Sequence, residues 1–255
     1  MTVIAELTKI RTVRSTVWTL LAALVVCVGL SVLFGSIFRR SFADLPQAQQ
    51  DRFDPLFATF YSVTFGQLAM VVFAVVVMAG EYSSGTIRAT LVAVPRRGVF
   101  YTAKILAVAL VVGAASVVIV LATFVTAQAA LGPHATALGA AGVWGAVVGT
   151  CFYLVFISLF ALGVAAMLRN SVAALAILLP VLFLGSQGLG NVPKLKTVTQ
   201  YFPDQAGAVI MHLTGPADDP RFGRPYGPWT GLGILALWTV AALVGGFLVL
   251  RHQDA

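Results

Sequence analysis

The chain has 255 residues, of which 59% are hydrophobic and only 10% are charged, and its mean hydropathy is +0.95. These values lie outside the range of water-soluble domains and exclude an ordinary globular protein. A net charge of +7 would favour nucleic-acid binding in a soluble chain. Here the basic residues lie at the ends of apolar segments, where they can meet anionic lipid headgroups. The composition therefore predicts a protein whose partner is the lipid bilayer and not nucleic acid.

Residues 1–16 have the pattern of an amphipathic helix. Val3, Leu7, Ile10 and Val13 recur at helical spacing, whereas Glu6 and the basic residues of this segment are predicted to point away from that apolar face. A helix of this kind lies in the interface plane of a membrane. We therefore predict an interfacial helix that leads into the first membrane span.

Six apolar segments then follow, each with roughly the twenty residues that a helix needs to cross about 30 Å of hydrocarbon. The fourth and fifth are separated only by the short polar stretch 169–171, which predicts a tight hairpin. We predict an all-α polytopic membrane protein with a single transmembrane domain over residues 1–255. The predicted spans are about 17–38, 56–80, 105–131, 139–168, 171–189 and 229–250.

The placement of basic residues predicts the orientation of these spans. Nine of the 16 Lys and Arg residues fall on one side of the predicted spans and the other seven on the opposite side. Most of the seven lie in the long segment 190–228, and long segments carry less weight in the positive-inside rule. We therefore expect the side with nine basic residues, which includes both termini, to be cytoplasmic.

One face of the second predicted span combines aromatic and polar side chains. Phe60, Tyr61, Thr64 and Gln67 share this face by three- and four-residue spacing. Such a face suits a bulky amphipathic cargo, and it also suits ordinary packing against neighbouring helices. The spacing alone leaves both interpretations open.

The predicted cytoplasmic loop 81–104 contains a turn followed by a short helix. Polar residues at 83–86 can cap free backbone amides, Gly85 permits a sharp turn, and Pro95 ends the helix. The helix either carries force from a partner to the second span or rests on lipid headgroups. For a coupling role, the candidate residues are Glu81, Gly85, Thr86, Ile87, Arg88, Leu91, Arg96 and Arg97.

Glu81 lies where the second span leaves the membrane, within reach of Arg88 or of a basic group on a partner. We expect an exposed ion pair there, and such pairs contribute only about 0–1 kcal/mol. Replacement of Glu81 should then affect transport more than folding.

The predicted external segment 190–228 contains six prolines and is too polar and broken to span a membrane. Within it, residues 204–213 have a helix-start signal and an apolar face. We expect a helix at the outer membrane surface, either as a lid over an exit or as a cover for the ends of the spans.

No residues in the sequence form a recognisable catalytic or metal-binding constellation. No phosphate-loop motif Gly-x-x-x-x-Gly-Lys-Ser/Thr occurs, and no soluble stretch is long enough for a nucleotide-binding domain. We therefore predict no catalytic, cofactor-binding or metal-binding residue in this chain. The alternative is a secondary transporter or channel, which usually needs ionisable groups near mid-membrane, and the predicted spans contain none.

The run Glu-Tyr-Ser-Ser-Gly-Thr-Ile-Arg at 81–88, with Val-Pro-Arg-Arg at 94–97, resembles the membrane subunits of ABC-2 type export permeases. The amphipathic entry helix, the six spans, Tyr-Phe-Pro-Asp-Gln-Ala-Gly at 201–207 and the basic ending at 251–255 are similar to bacterial members of the drug or antibiotic export class. The resemblance covers essentially the whole chain.

This resemblance implies a permease subunit that exports a hydrophobic or amphipathic substrate across the bacterial cytoplasmic membrane. ATP and Mg²⁺ would be bound by a separate ATPase subunit, present in two copies and docked on the entry helix and the first cytoplasmic loop. Two permease subunits would pair, with a homodimer favoured over a heterodimer. In similar permeases the second and fifth spans line the central cavity, which would place Phe183 and Gln187 opposite the face that contains Tyr61.

Overall fold

The computed structural model describes residues 2–83, 85–86, 96–186, 191–192, 194–215, 219 and 222–252. Within these residues the chain is all-helical, with 82% of them in helices and no strand. The predicted all-α class is therefore confirmed. In chain order the α-helices are α1 Thr2–Thr12, α2 Arg14–Ser41, α3 Gln47–Gln50, α4 Pro55–Phe60, α5 Val63–Ser83, α6 Arg97–Leu131, α7 Val143–Leu168, α8 Ser171–Ser186, α9 Lys196–Thr199, α10 Pro203–Ala208 and α11 Pro228–His252.

Five helical segments are long and apolar enough to cross a membrane, and they contain α2, α4 with α5, α6, α7 and α11. The remaining predicted span corresponds to α8, whose 16 residues extend for about 24 Å. The structure thus supports five of the six predicted spans as candidates, and the span 171–189 stays a prediction. α6 begins at Arg97, eight residues before the predicted span, because helical hydrogen bonding continues beyond the apolar stretch that hydropathy detects.

The entry helix is separated from the first span by a bend at Val13. This residue is extended, with φ −80° and ψ 112°, and α2 begins directly after it. The buried Thr16 hydroxyl donates to the carbonyls of Ile10 and Val13, each at 2.5 Å, and so links the two sides of the bend. The predicted helix over 1–16 is therefore shorter than expected, and the bend allows α1 to pack against α6.

The second span is also interrupted. The Asp54 carboxylate caps α4 by accepting a hydrogen bond from the Leu56 amide at 2.8 Å, and Pro55 occupies the first helical position. α4 ends at Phe60, and α5 starts at Val63. Helical periodicity therefore does not continue unbroken from Phe60 to Gln67.

The predicted external helix over 204–213 is shorter and more deeply placed than expected. α10 is buried along Pro203–Gly207 and packs against α7, α8 and α11. A Cβ atom at Gly231 would lie 2.3 Å from the Ala206 carbonyl oxygen, so α11 passes directly against α10. α10 thus inserts among the long helices and is not confined to the surface.

α7 and α11 form the most extensive helix pair, and glycine allows their close approach. A Cβ atom at Gly163 would lie 2.5 Å from the backbone carbonyl carbon of Ala242. Hydrophobic attraction between helices is weak in lipid, so association depends on such close packing. Gly163 is therefore a position at which the helix contact tolerates no side chain.

We predict that Gly163→Ala lowers the free energy of unfolding by about 1–3 kcal/mol, because the added methyl group meets α11 backbone. The matched control is Gly145→Ala on the same helix, where a Cβ meets no described heavy atom within 4 Å. The control should change stability by less than about 1 kcal/mol. Unfolding by sodium dodecyl sulfate in mixed micelles measures both, and equal stability of the two variants would contradict this account of the α7–α11 contact.

Candidate functional site

Four charged side chains meet at the end of the bundle where α1 lies, and we call them the ion cluster. Lys104 Nζ lies 2.6 Å from Glu6 Oε2 and 2.8 Å from Glu81 Oε1. Lys9 Nζ lies 3.0 Å from Glu6 Oε1 and 3.0 Å from Glu81 Oε1. The cluster therefore joins α1, the end of α5 and the first turns of α6 through alternating charges.

The four members differ in their exposure to solvent. The Lys104 side chain is 1% exposed and the Glu81 side chain 11%, whereas the Lys9 side chain is 46% exposed. Burial opposes ionisation of Glu6, but the charges and hydrogen bonds of Lys104 and Lys9 outweigh burial and lower the pKa of Glu6. Glu6 and Lys104 thus form a buried ion pair, with Lys9 at its solvent edge.

The structure corrects two expectations about these residues. Glu81 was expected to form an exposed ion pair with little effect on folding, but it is buried and pairs with Lys104 and Lys9. Glu6 was expected to point away from the apolar face of α1, but it is buried on the same side as Ile10. The sequence could have indicated this placement of Glu6, because Glu6 and Ile10 are four residues apart and residues at that spacing lie on one helix face.

We predict that Lys104→Met destabilises the protein by about 3–5 kcal/mol, because two buried carboxylates lose their shared partner. The matched control Lys9→Met removes the same charge from the half-exposed position and should cost less than about 1 kcal/mol. Unfolding in mixed micelles compares the two variants. If Lys9→Met proved as damaging as Lys104→Met, burial would not be what makes the ion cluster important.

Some of the predicted coupling residues are described by the structure, and others lie outside the described residues. Gly85 has φ +70° and its amide donates to the Tyr82 carbonyl at 3.2 Å, which confirms the predicted sharp turn. Thr86 is exposed, whereas Ile87, Arg88 and Leu91 lie outside the described residues. Arg96 directly precedes α6. The coupling role of these residues stays a prediction.

Two arginines bind backbone carbonyls in the last turn of α11, at the end of the bundle where the ion cluster lies. Arg97 donates to the Leu250 carbonyl at 2.7 Å, and Arg169 donates to the Val249 carbonyl at 3.0 Å. Cations at a helix C-terminus satisfy carbonyls that have no partner within the helix and complement the helix dipole. Because α6 contacts α1 through Lys104 and α11 through Arg97, the described ends of the chain lie at one end of the bundle.

Aromatic side chains form a continuous row in the half of the bundle away from α1. Neighbouring ring centroids are between 5.1 and 6.3 Å apart, within the range of favourable aromatic contacts. The rings on α2, α4, α5 and the connections between these helices are half-buried, and Phe183 on α8 is 39% exposed. This aromatic row consists of Phe34, Phe38, Phe42, Phe53, Phe57, Tyr61, Phe65 and Phe183.

The predicted pathway residues divide between this row and the interior. Tyr61 and Phe183 belong to the row, but Phe60 and Gln67 are fully buried and Thr64 nearly so. Gln67 accepts a hydrogen bond from the Tyr153 hydroxyl and donates to the Thr64 carbonyl at 3.0 Å, so its amide links α5 to α7. Gln187 lies outside the described residues.

Most members of the aromatic row are not among the predicted pathway residues, although their spacing is visible in the sequence. Aromatic residues occur at positions 34, 38 and 42 and again at 53, 57, 61 and 65. Four-residue spacing places side chains on one face of a helix. A search for repeated aromatics across two segments would have found both halves of the row.

A pocket of about 700 Å³ adjoins the row at the end of the bundle opposite α1, and Phe38, Phe53 and Phe57 form part of its wall. Asp54 Oδ2 there lies 2.7 Å from His212 Nδ1. Burial opposes ionisation of Asp54, but its hydrogen bonds with His212 and the Leu56 amide outweigh burial and lower its pKa. The pocket thus combines aromatic walls with a polar pair.

Asp204 in α10 is an ionisable group buried among the long helices. Burial raises its pKa to about 6, although a hydrogen bond from Gln205 opposes the shift. Gln205 also donates to the Gly185 carbonyl at 2.5 Å and accepts from Arg224 at 2.9 Å. This network connects the inserted helix α10 to α8 and to the segment before α11.

We predict that lowering the pH from 7 to 5 stabilises the parent protein relative to Asp204→Asn. Asp204 binds its proton more tightly in the folded state, so its contribution is greatest below an unfolded pKa near 4 and is lost as the pH rises through about 6. Unfolding titrations at several pH values compare the two proteins. A pH-independent difference between them would show that Asp204 is not buried as described.

The described fold is that of a multi-pass helical membrane protein whose entry helix is fixed to its second and third spans by the ion cluster. A family model for ABC-2 family transporter proteins matches residues 2–185, from α1 into α8. The chain therefore belongs to the ABC-2 transporter family, as its resemblance indicated. A comparison with curated proteins finds no significant match.

Members of this family are membrane components of ABC transporters and are not themselves catalytic. Membership therefore identifies the chain as a membrane subunit of an ABC transporter that associates with an ABC ATPase.

Proposed function

We propose that this chain is the permease subunit of an exporter that moves a hydrophobic or amphipathic substrate across the bacterial cytoplasmic membrane. Energy comes from ATP that a separate ATPase subunit binds with Mg²⁺ and hydrolyses. The observation that carries the coupling part of this proposal is the ion cluster, because Glu81 belongs both to the cluster and to the loop predicted to meet the ATPase.

Coupling requires that a force on the connection 84–96 between α5 and α6, which is shorter than the predicted loop 81–104, moves the spans and does not merely bend the connection. Glu81 at the end of α5 is held by Lys104 of α6 at 2.8 Å and by Lys9 of α1 at 3.0 Å. At the other end of the loop, Arg97 ties α6 to the last turn of α11 at 2.7 Å. A force applied to the loop is therefore shared among four helices, which supports its role as the coupling element.

The substrate pathway that we propose follows the aromatic row. Its rings are only half-buried within one subunit, so part of their surface can contact a second subunit or a cargo that lies between subunits. Aromatic walls bind bulky apolar groups without demanding a single ligand geometry. We propose that two copies of this chain enclose the row and that each copy binds one ATPase subunit.

We propose that the end with the ion cluster faces the cytoplasm, together with both termini. Nine of the 16 basic residues belong to that side by the charge count. The contacts of Lys104 with α1 and of Arg97 with the last turn of α11 support a common side for the described termini. α10 then lies toward the exterior, where it blocks or opens the end of the aromatic row.

An ion-coupled carrier is the alternative, and one observation favours it. Asp204 is a buried carboxyl group with a raised pKa, of the kind that carriers use to bind protons. Membership of the ABC-2 family favours the ATP-driven exporter over the ion-coupled carrier. ATP-driven transport that persists in Asp204→Asn without a proton gradient would exclude the carrier.

We predict that Gly85→Val reduces ATP-driven transport by roughly tenfold or more while the subunit still assembles with its ATPase. Gly85 has φ +70° and a Cβ there meets no described heavy atom within 4 Å, so the substitution strains only the turn. The measurement is cargo transport and cargo-stimulated ATP hydrolysis after reconstitution with the ATPase in liposomes.

The matched control is Gly142→Val, which imposes similar backbone strain at the opposite end of the bundle. Gly142 has φ +82° and equally open surroundings among the described residues. Transport should survive this change, since Gly142 lies outside the coupling loop. Equal loss of transport in both variants would contradict a coupling role for the turn at Gly85.

We also predict that the isolated chain does not hydrolyse ATP. ATP hydrolysis by the purified chain alone would contradict the permease assignment.

A further inference from the structure

A cavity of about 500 Å³ lies beside the ion cluster, between α1, the start of α2 and the end of α5. One side of it is apolar and is formed by Ile10, Val13, Val76 and Val77. The other side carries the charged groups of the cluster. The cavity is therefore amphipathic, and it is separated from the aromatic row, which lies in the other half of the bundle.

The cavity wall contains a hydrogen-bond acceptor that lacks a partner. Both lysines of the cluster approach the same oxygen of Glu81, Oε1, at 2.8 and 3.0 Å. The other oxygen, Oε2, is buried and has no hydrogen-bond partner in the described part of the chain. Buried carboxylate oxygens without partners are rare because their desolvation is costly. Because Oε2 itself has almost no exposed surface, bulk solvent does not supply the missing bond.

The charges around this oxygen favour a cation over an anion. Glu6, Glu81 and Lys104 have side chains that are at most 11% exposed, whereas Lys9 is 46% exposed and is screened by solvent. The buried part of the ion cluster thus has two carboxylates and only one ammonium. A second cation that donates to Glu81 Oε2 would balance this charge and satisfy the acceptor.

We propose that this cavity binds an amphipathic ammonium ligand, whose N–H group donates to Glu81 Oε2 and whose apolar part lies along Ile10, Val13 and Val77. The ammonium group can belong to the headgroup of an aminophospholipid or to a cationic compound that the protein transports. The recognising chemistry is the same in both cases. The inference concerns binding to the chain itself and does not require coupling to an ATPase.

The direct test uses octylammonium as the probe and octan-1-ol as its neutral counterpart. The purified chain is reconstituted without ATPase in nanodiscs of phosphatidylcholine, whose quaternary ammonium has no N–H donor. Saturation-transfer NMR then measures binding of each compound against empty nanodiscs. We expect saturable binding of octylammonium, at least roughly tenfold tighter than that of octan-1-ol. Equal binding of the two compounds, or none that saturates, would overturn the proposal and leave water as the partner of Glu81.

Two glycine variants locate the binding site without disturbing the ion cluster. Gly80 lines the cavity, and a Cβ there meets no heavy atom of the described residues within 4 Å, so Gly80→Leu fills the cavity. Gly113→Leu on α6 adds the same side chain at an equally open helical position that does not line the cavity. Octylammonium binding should weaken by roughly tenfold or more in Gly80→Leu and stay unchanged in Gly113→Leu. Unchanged binding in Gly80→Leu would place the ligand elsewhere.

Glu81→Gln removes the charge that attracts the ammonium and should weaken octylammonium binding but not octan-1-ol binding. Because this variant also loosens the ion cluster, Gly80→Leu remains the decisive comparison.

Nanodiscs that contain phosphatidylethanolamine identify the source of the ammonium group. Competition with octylammonium would assign the site to a lipid headgroup, and its absence would assign it to a transported cation. The binding experiment contains no ATPase, so a lack of octylammonium binding would not contradict the exporter proposal. Likewise, a lack of ATP-driven transport would not contradict a positive binding result.

Discussion

The pairing of Lys104 with Glu6 and Glu81 is the constraint on which the arrangement of this end of the bundle depends. A charge buried among apolar helices is costly unless a partner of opposite sign lies within hydrogen-bond distance. Lys104 meets both carboxylates within 2.8 Å, so α1 and α5 cannot move far from α6 without exposing unpaired charges. The constraint is strong because the pairs are buried, since the same ion pairs exposed to water would contribute little to the free energy of unfolding.

Other helix contacts of the fold are made by uncharged groups. Lipid tails are as apolar as leucine, so helices in a bilayer gain little by burying apolar residues against each other. α7 and α11 instead approach closely at Gly163, and Gln67 links α5 to α7 through the Tyr153 hydroxyl. The aromatic row differs from this packed interior because its rings are only half-buried. That difference makes the row, and not the buried face of the second span, the better candidate for a cargo pathway.

The positions of the inserted helix and of the cavity give the two ends of the protein different chemistry. At the end away from α1, α10 places the buried Asp204 against Gly185 of α8. At the α1 end, the cavity places the unpartnered oxygen of Glu81 beside apolar walls. One end therefore has a carboxyl group that titrates near pH 6, and the other has a carboxylate that is fixed by lysines.

The sequence by itself determined the helical class, the location of most long helices and the sharp turn at Gly85. It could do so because backbone groups in lipid must be satisfied within a helix, so length and hydropathy suffice to identify a span. Only the tertiary structure decided which charges are buried and which faces remain open. Glu6 and Lys104 are 98 residues apart, and helical periodicity assigns a residue to a face but not to a partner on another helix. The spacing of Phe60, Thr64 and Gln67 likewise indicated a shared face, but only the packing of α5 against other helices showed that this face is buried and that Tyr61 lies apart from it.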